Sequence, residues 1–341
     1  MTNRNENNAA VRNSDSLDVL SMTELMERLY PPRRPVVEGF LFAGTYIFAG
    51  SPKVGKSFFM AQLAYHVAMG LPLWKYKTYP GSVLYLALED DHSRLQRRLS
   101  TMFGVGGCRR LFLATQADTL GRGLENQLNE FVAEHPDTAL IIVDTLQKIR
   151  EMENERFSYG RDYEIMVRLK KFSEQHNLCL LLVHHTRKMA SDDSFDTISG
   201  TNGLLGAADG AFILTKKKRV GVSAQLEIVG RDQNDQLLTL NFDRDRCLWE
   251  LESEAVEESE RSPDPLLEAV AEMLDQEKQQ WSGTPVQLAA LLPEIQIAPN
   301  VLTRRLNVSA ERLMREYGIR YTNTRNHHGR HITLQAEEPA L

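Results

Sequence analysis

The sequence predicts an α/β fold, a mostly parallel sheet flanked by helices, with a small helical domain behind it that closes on a β-hairpin. Three observations carry this. Apolar runs of strand length alternate with helical patterns from about residue 22 to 249. Two of the runs, Leu140-Ile141-Ile142-Val143 and Leu180-Leu181-Leu182-Val183, lack polar alternation, the pattern of central strands covered on both faces. Residues Gly50-Ser51-Pro52-Lys53-Val54-Gly55-Lys56-Ser57 read G-x-x-x-x-G-K-S directly after the apolar run 45–49, with a helical pattern over 58–69 behind them.

Taken in order, the polar, Asn-rich start lacks the apolar centre of a signal peptide and reads as a disordered leader over 1–21. Strands are expected at 46–49, 83–87, 111–113, 140–143, 178–183, 211–214, 225–229 and 237–242, the last two forming a hairpin at the sheet edge. Together they make a core over 22–249. Glu250, Glu252, Glu254, Glu257, Glu258 and Glu260 crowd a stretch ending in Ser262-Pro263-Asp264-Pro265, which reads as a solvated acidic linker over 250–264. Helical patterns follow at 265–276, 285–292 and 300–317, with Trp281-Ser282-Gly283-Thr284 as a turn between the first two. Short strands at 319–322 and 331–334 flank the turn Asn326-His327-His328-Gly329. That order suggests a winged helix-turn-helix over 265–336, with a tail at 337–341.

Composition narrows the setting. The 341 residues are 42% hydrophobic and 25% charged, with net charge −6, ordinary values for a globular protein. No apolar run approaches the ~20 residues that cross a bilayer. Cys108, Cys179 and Cys247 are few and far apart, which argues against a disulfide framework and for a reducing compartment. A cytoplasmic protein without a membrane partner is expected.

The phosphate-loop pattern predicts nucleoside triphosphate binding. Its glycines let backbone N–H groups close around phosphates, Lys56 reaches the β and γ oxygens, and Ser57 offers a hydroxyl to Mg²⁺. Phe58 opens the helix whose positive dipole end faces the phosphates. Asp144, ending the run 140–143, stands where a carboxylate would hold Mg²⁺. The run 83–87 ends in Glu89-Asp90-Asp91. Glu89 is the candidate for polarising the attacking water, while Asp90 and Asp91 suit the N-terminus of the helix that follows. His184-His185-Thr186-Arg187-Lys188 arrives at the same sheet edge, with His185 the candidate sensor of the γ-phosphate and a core histidine the plainer alternative. The two histidines lack the nearby cysteines or carboxylates of a zinc site.

Glu89, Asp144 in Ile141-Ile142-Val143-Asp144, and the His184–Lys188 element, in that order after the phosphate loop, resemble the RecA-like superfamily. Within it they are most similar to the RepA-type hexameric replicative helicases of plasmids and other mobile elements. The resemblance covers about 35–243. It implies a RecA core that hydrolyses ATP with Mg²⁺, sites between subunits, and a hexameric ring passing single-stranded DNA through its channel. The segment 189–203 then faces the channel, though Asp192, Asp193, Asp196 and, further on, Asp209 suit phosphate contact badly, leaving Thr201, Asn202 and backbone amides, with a mobile connecting loop that binds nothing as the alternative. The family's basic group acting across the interface points to Arg231 in Gly230-Arg231-Asp232, with Gln233 where a second basic residue is usual. Lys216-Lys217-Lys218-Arg219 competes for that role, for DNA contact, or as a solvated turn.

Between 300 and 334, Arg304, Arg305, Arg312, Arg315, Arg320, Arg325 and Arg330 face only Glu311 and Glu316, a local surplus of five positive charges in an acidic chain. This reads as a footprint for duplex DNA phosphates, with packing on another protein surface as the alternative. Three readings of the whole follow. The first is an ATP-driven DNA motor of a mobile element or phage. The second is an ATP-switched DNA-binding initiator that unwinds nothing. The third is a filament-forming recombinase, disfavoured by the C-terminal domain.

Overall fold

A computed structural model describes residues 17, 19–150, 159–187, 194–198, 202–216, 221–231, 233–256, 263–274, 279–326 and 329–337. Contacts divide them into two units. One spans Arg33–Glu260; the other joins described residues up to Pro32 with those from Arg261 onward. The first helix, α1 (Met22–Glu27), belongs to the second unit.

The larger unit opens with a small antiparallel ribbon, β1 (Pro35–Val37) and β2 (Leu41–Phe42). The main elements follow as β3 (Gly44–Gly50), α2 (Lys56–Met69), β4 (Val83–Ala87), α3 (His92–Phe103), β5 (Leu111–Ala114), α4 (Leu124–Glu134), β6 (Leu140–Asp144), α5 (Tyr159–His176), β7 (Cys179–His185), α6 (Asn202–Ala207) and β8 (Gly210–Thr215). Then come β9 (Ser223–Gly230), β10 (Gln233–Asp243) and β11 (Leu248–Val256). Short 3₁₀ turns lie at Leu146–Ile149 and Ser194–Thr197.

One nine-stranded sheet runs β11-β10-β9-β8-β3-β7-β6-β4-β5. From β8 to β5 all pairs are parallel; β9, β10 and β11 extend the sheet antiparallel. Every residue of β3 and β6 is buried, as their unbroken apolar runs require when helices cover both faces. Strand alternation sorts the core. Tyr46 and Phe48 pack with Phe59, Met60 and Leu63 of α2 and Leu95 of α3, whereas Ile47 and Ala49 pack with Leu128 of α4 and Met166 and Leu169 of α5.

Three expectations are corrected here. The acidic stretch from 250 is no linker up to 256, because Leu248–Val256 pairs with β10 as the outermost strand. Its glutamates sit on an edge that charge keeps from pairing with another chain. The hairpin of β9 and β10 is consequently internal to the sheet. Residues 22–32, assigned by the sequence reading to the core, pack with the C-terminal unit.

In that unit α1 is followed by α7 (Pro265–Met273), β12 (Gln280–Gly283), α8 (Pro285–Leu291), a 3₁₀ turn at Pro293–Ile295, α9 (Pro299–Tyr317), β13 (Ile319–Asn326) and β14 (Gly329–Ala336). Trp281, Ser282 and Gly283, expected in a turn with Thr284, lie instead in β12, the third strand of an antiparallel sheet ordered β12-β14-β13. Thr284 caps α8 with a capping box completed by Gln287. Gly318, at φ 66°, ends α9 in the left-handed conformation. Leu267, Val270, Leu288, Leu302, Leu306, Leu313, Ile332 and Leu334 fill the core.

Candidate active site

Register alone brings the functional side chains together. Gly50 at the end of β3 pairs with His185 of β7, Val183 of β7 with Asp144 of β6, and Asp144 with Ala87 of β4, two residues before Glu89. Four parallel strands thus end at one edge, where such sheets present ligand sites.

Between β3 and α2 the chain turns through 51–55, with Ser51, Pro52 and Lys53 exposed, Val54 buried and Lys53 at φ 65°. Two glycines are required by space. A Cβ on Gly50 would lie 2.7 Å from the Leu214 carbonyl oxygen, and one on Gly55, at φ 111°, would lie 2.8 Å from the Trp249 ring. Gly55 immediately precedes α2, so unsatisfied helix N–H groups open toward the loop.

Trp249 was not singled out by sequence reasoning, yet it fixes the loop from below. Fully buried in β11, it donates from Nε1 to the Gly55 carbonyl at 3.2 Å. Gln62 of α2 holds its backbone from both sides, donating to the Trp249 carbonyl at 2.9 Å and accepting from its amide at 2.8 Å. The Trp74 indole donates to the same carbonyl. The available signal was the apolar run Leu248-Trp249 just before the glutamates, which composition obscured.

Lys56 is 6% exposed. Its ammonium donates to the carbonyls of Gly50 at 2.7 Å and Ser51 at 3.1 Å and lies 3.2 Å from Nδ1 of His185. Burial lowers its pKa from 10.5 to about 8, partly opposed by Asp144 and Glu89. An ammonium can only donate, so His185 Nδ1 accepts and its proton sits on Nε2. Burial, then Lys56, hold the His185 pKa below the usual histidine value, which keeps the ring neutral. His184, one residue away on the alternating strand, is buried instead.

Asp144 is buried, accepts from the Tyr85 hydroxyl at 2.9 Å and is hydrogen-bonded by Ser57. Burial pushes its carboxyl above the usual range, against those two hydrogen bonds. Glu89 is exposed and accepts from Thr145 Oγ1 at 3.3 Å. Asp91 caps α3, accepting from the Arg94 amide at 2.8 Å, whereas Asp90 is taken by Arg98 at 2.6 Å and Arg94 at 3.4 Å. Phe58 lies between the Phe242 ring at 5.3 Å and the Arg98 guanidinium at 5.2 Å.

The residues fit a magnesium–phosphate ligand. A hydroxyl and a carboxylate in contact offer hard oxygen donors, and Mg²⁺ commonly takes one or two carboxylates plus phosphate oxygens rather than an all-protein cage. Among the described residues no group of three or more His, Cys, Asp or Glu side chains suits a metal ion.

With this geometry in view, the AAA domain family matches residues 12–191, more than half of the chain. The chain belongs to that family. Among solved structures, this AAA domain protein is similar to the ATPase domain of another protein, with a TM-score of 0.51 and 12% identity over 61% of this chain and 84% of that one. A DnaB-like replicative helicase, solved with its interactions with primase in view, gives 0.51 and 13% over 62% of this chain and 58% of that one. No curated protein sequence matches. At these identities the likeness is one of fold, the α/β fold of RecA-like ATPase domains.

The AAA domain protein keeps one of its basic candidates, Arg231, away from this cluster. Arg231 follows β9 beside the start of β8, donating from its amide to the Asp209 carbonyl at 2.9 Å and from its guanidinium to the Gly206 carbonyl at 2.6 Å. Gly210, its neighbour across the sheet, precedes Leu214 at the loop edge by roughly 13 Å of strand. Asp209, counted in the sequence with the acids of the channel-facing segment, is buried at that far edge and accepts from the Thr45 amide at 2.9 Å, Lys170 at 2.8 Å and Arg33 at 3.5 Å. Lys216 follows β8 on the loop side, over the rings of Trp249 at 5.1 Å and Phe242 at 5.5 Å. Lys217, Lys218 and Arg219 lie outside the described residues, as do Lys188, 189–193, Thr201, His327 and His328.

The seven C-terminal arginines are found mostly paired. Arg304 and Arg330 meet Glu27, Arg305 meets Asp264, Arg312 and Arg315 meet Glu316, and Arg320 meets Glu337. Three of these four carboxylates fall outside the 300–334 window, so the positive surplus counted there is smaller in three dimensions.

Proposed function

We propose that this protein is an ATP-hydrolysing DNA motor, a hexameric replicative helicase of the RepA type serving a mobile element or phage. The observation that carries the reading is the meeting of Lys56, Ser57, Glu89, Asp144 and His185 at one sheet edge, with Arg231 at the opposite one. The loop amides and Lys56 bind the β and γ phosphates, while Ser57 and Asp144 hold Mg²⁺. The metal supplies neutralisation of charge on the phosphate oxygens. Glu89, steadied by Thr145, polarises the attacking water. His185, neutral and hydrogen-bonded to Lys56, is placed to register loss of the γ-phosphate and pass it to the segment beyond Thr186. Arg231 lies too far from the loop of its own chain, so its role as an arginine finger requires a neighbouring copy in a ring.

DnaB-like likeness in the core supports the motor reading, and single-stranded DNA in the ring channel follows from it. In the C-terminal unit, the order helix, strand, helix, helix, strand, strand supports a winged helix that contacts duplex DNA. That arrangement also favours a second reading, an ATP-switched initiator whose winged helix finds a duplex site without unwinding. ATP-dependent separation of a fluorescent forked duplex distinguishes the two, with Lys56→Ala as the inactive reference. Separation lost in the variant supports the motor. ATP turnover and duplex binding without separation at either tail polarity would replace it with the initiator. Mixing Arg231→Ala subunits with wild type tests the ring: activity should fall faster than the fraction of wild-type subunits, and a proportional fall would move the finger elsewhere.

A further inference from the structure

The Glu27 carboxylate at the end of α1 sits in a fork of two guanidinium groups from different elements. Arg304 of α9 reaches Oε1 at 3.3 Å and Arg330 of β14 reaches Oε2 at 2.7 Å. The segment is anchored on both sides of this fork. Asn307 of α9 donates to the Met26 carbonyl at 3.0 Å, and Leu29 packs against the apolar core of the C-terminal unit. Asn307 is itself held by Tyr321 at 2.9 Å and Asn323 at 3.1 Å, so the contact is built into the buried framework.

Two converging arginines around one oxyanion are a binding geometry for phosphate as much as for carboxylate. The fork also has unused capacity, because Nε of Arg304 is buried without a hydrogen-bond partner among the described residues. A carboxylate has two oxygens and one negative charge and leaves that donor idle. Arg304 and Arg330 moreover belong to the long helix and the hairpin, the two elements that a winged helix would turn toward a duplex.

We propose that Arg304 and Arg330 form a site for a backbone phosphate of duplex DNA, and that Glu27 occupies it as an internal competitor, so that α1 must leave before the duplex binds there. This rests on the duplex-binding reading of the C-terminal unit. The Glu27 side chain keeps 32% of its surface in solvent, and ion pairs this accessible are screened by water and salt, which allows such an exchange. Counterions released at newly available phosphate contacts then steepen the salt dependence of binding.

The test measures duplex affinity of the full-length protein by fluorescence anisotropy across a salt series, for Glu27→Gln, Arg304→Gln/Arg330→Gln and the triple combination. Glu311→Gln, an exposed acid on α9, controls for the change of charge. Glu27→Gln should tighten binding about tenfold at low salt and steepen the slope of log K against log salt by about one to two. Glu311→Gln should change affinity less than about twofold. In the arginine double variant, Glu27→Gln should have no effect. The competitor is overturned if Glu27→Gln binds like wild type while the arginine variant binds more weakly, or if Glu27→Gln tightens binding equally without the arginines. If adding Arg325→Gln to the triple variant still leaves wild-type duplex affinity, the duplex-binding reading itself fails.

Discussion

The phosphate-loop edge of the large sheet and the arginine-rich C-terminal unit are both rich in charge, and they handle it in opposite ways. At the sheet edge Lys56 and Asp144 are buried, their positions set by backbone register, and each has its pKa moved by burial. In the C-terminal unit six of seven arginines meet carboxylates through flexible side chains with substantial solvent access. Buried charges in a fixed cradle are prepared for one chemical ligand. Exposed pairs are interchangeable, and a polyanion can replace any one of them at small cost.

The largest expected contrast is in turnover. Lys56→Ala should lower ATP hydrolysis by about 10²–10³-fold or more, since it removes a fixed charge from the transferring phosphate; a steady-state phosphate-release assay measures this. Near-normal turnover would break the comparison by removing the buried lysine from the chemistry. Trp249→Ala should cost about 3–5 kcal/mol in chemical denaturation, the usual loss for a fully buried Trp, and should weaken nucleotide binding because Gly55 loses its support. Loss of stability with unchanged nucleotide affinity would confine Trp249 to the core.

A pH titration gives a smaller, signed effect. The folded chain releases the Lys56 proton near pH 8, the unfolded chain near 10.5, so between these values the unfolded state binds more protons. Stability of the nucleotide-free protein relative to Lys56→Met should therefore rise with pH through that window. Affinity for nucleotide should fall over the same range as the ammonium is lost. A flat difference between the two proteins would mean that the ammonium is solvated rather than buried. The smallest effect belongs to the other region. Glu316→Gln, which removes the partner of Arg312 and Arg315, should leave Tm within about two degrees, as exposed pairs contribute little.

The same contrast governs how much the sequence disclosed. The meeting of the sheet-edge side chains was legible because Gly50, Asp144 and His185 end apolar strands, Glu89 lies two residues past another, Lys56 and Ser57 belong to the G-x-x-x-x-G-K-S pattern behind Gly50, and parallel strands must deliver their ends to one edge. The central strands were legible because burial on both faces leaves an unbroken apolar run. Strand β11 was not, since an edge strand is solvated and its glutamates resemble those of a linker. Trp249 was missed with it, because its partners Gln62 and Gly55 lie 187 and 194 residues away. For the same reason the C-terminal arginine surplus was overcounted: Glu27 precedes Arg304 by 277 residues. Register propagates along a strand and can be read locally, whereas side-chain pairing across the chain cannot.

The most direct measurement of the central claim is single-turnover ATP hydrolysis by Glu89→Gln with nucleotide affinity measured in parallel. The account predicts affinity within a few-fold of wild type and hydrolysis slower by about 10²–10⁴-fold, the range of a positioned general base. Hydrolysis at the wild-type rate, or loss of binding together with turnover, would contradict it and leave Glu89 a structural neighbour of Thr145.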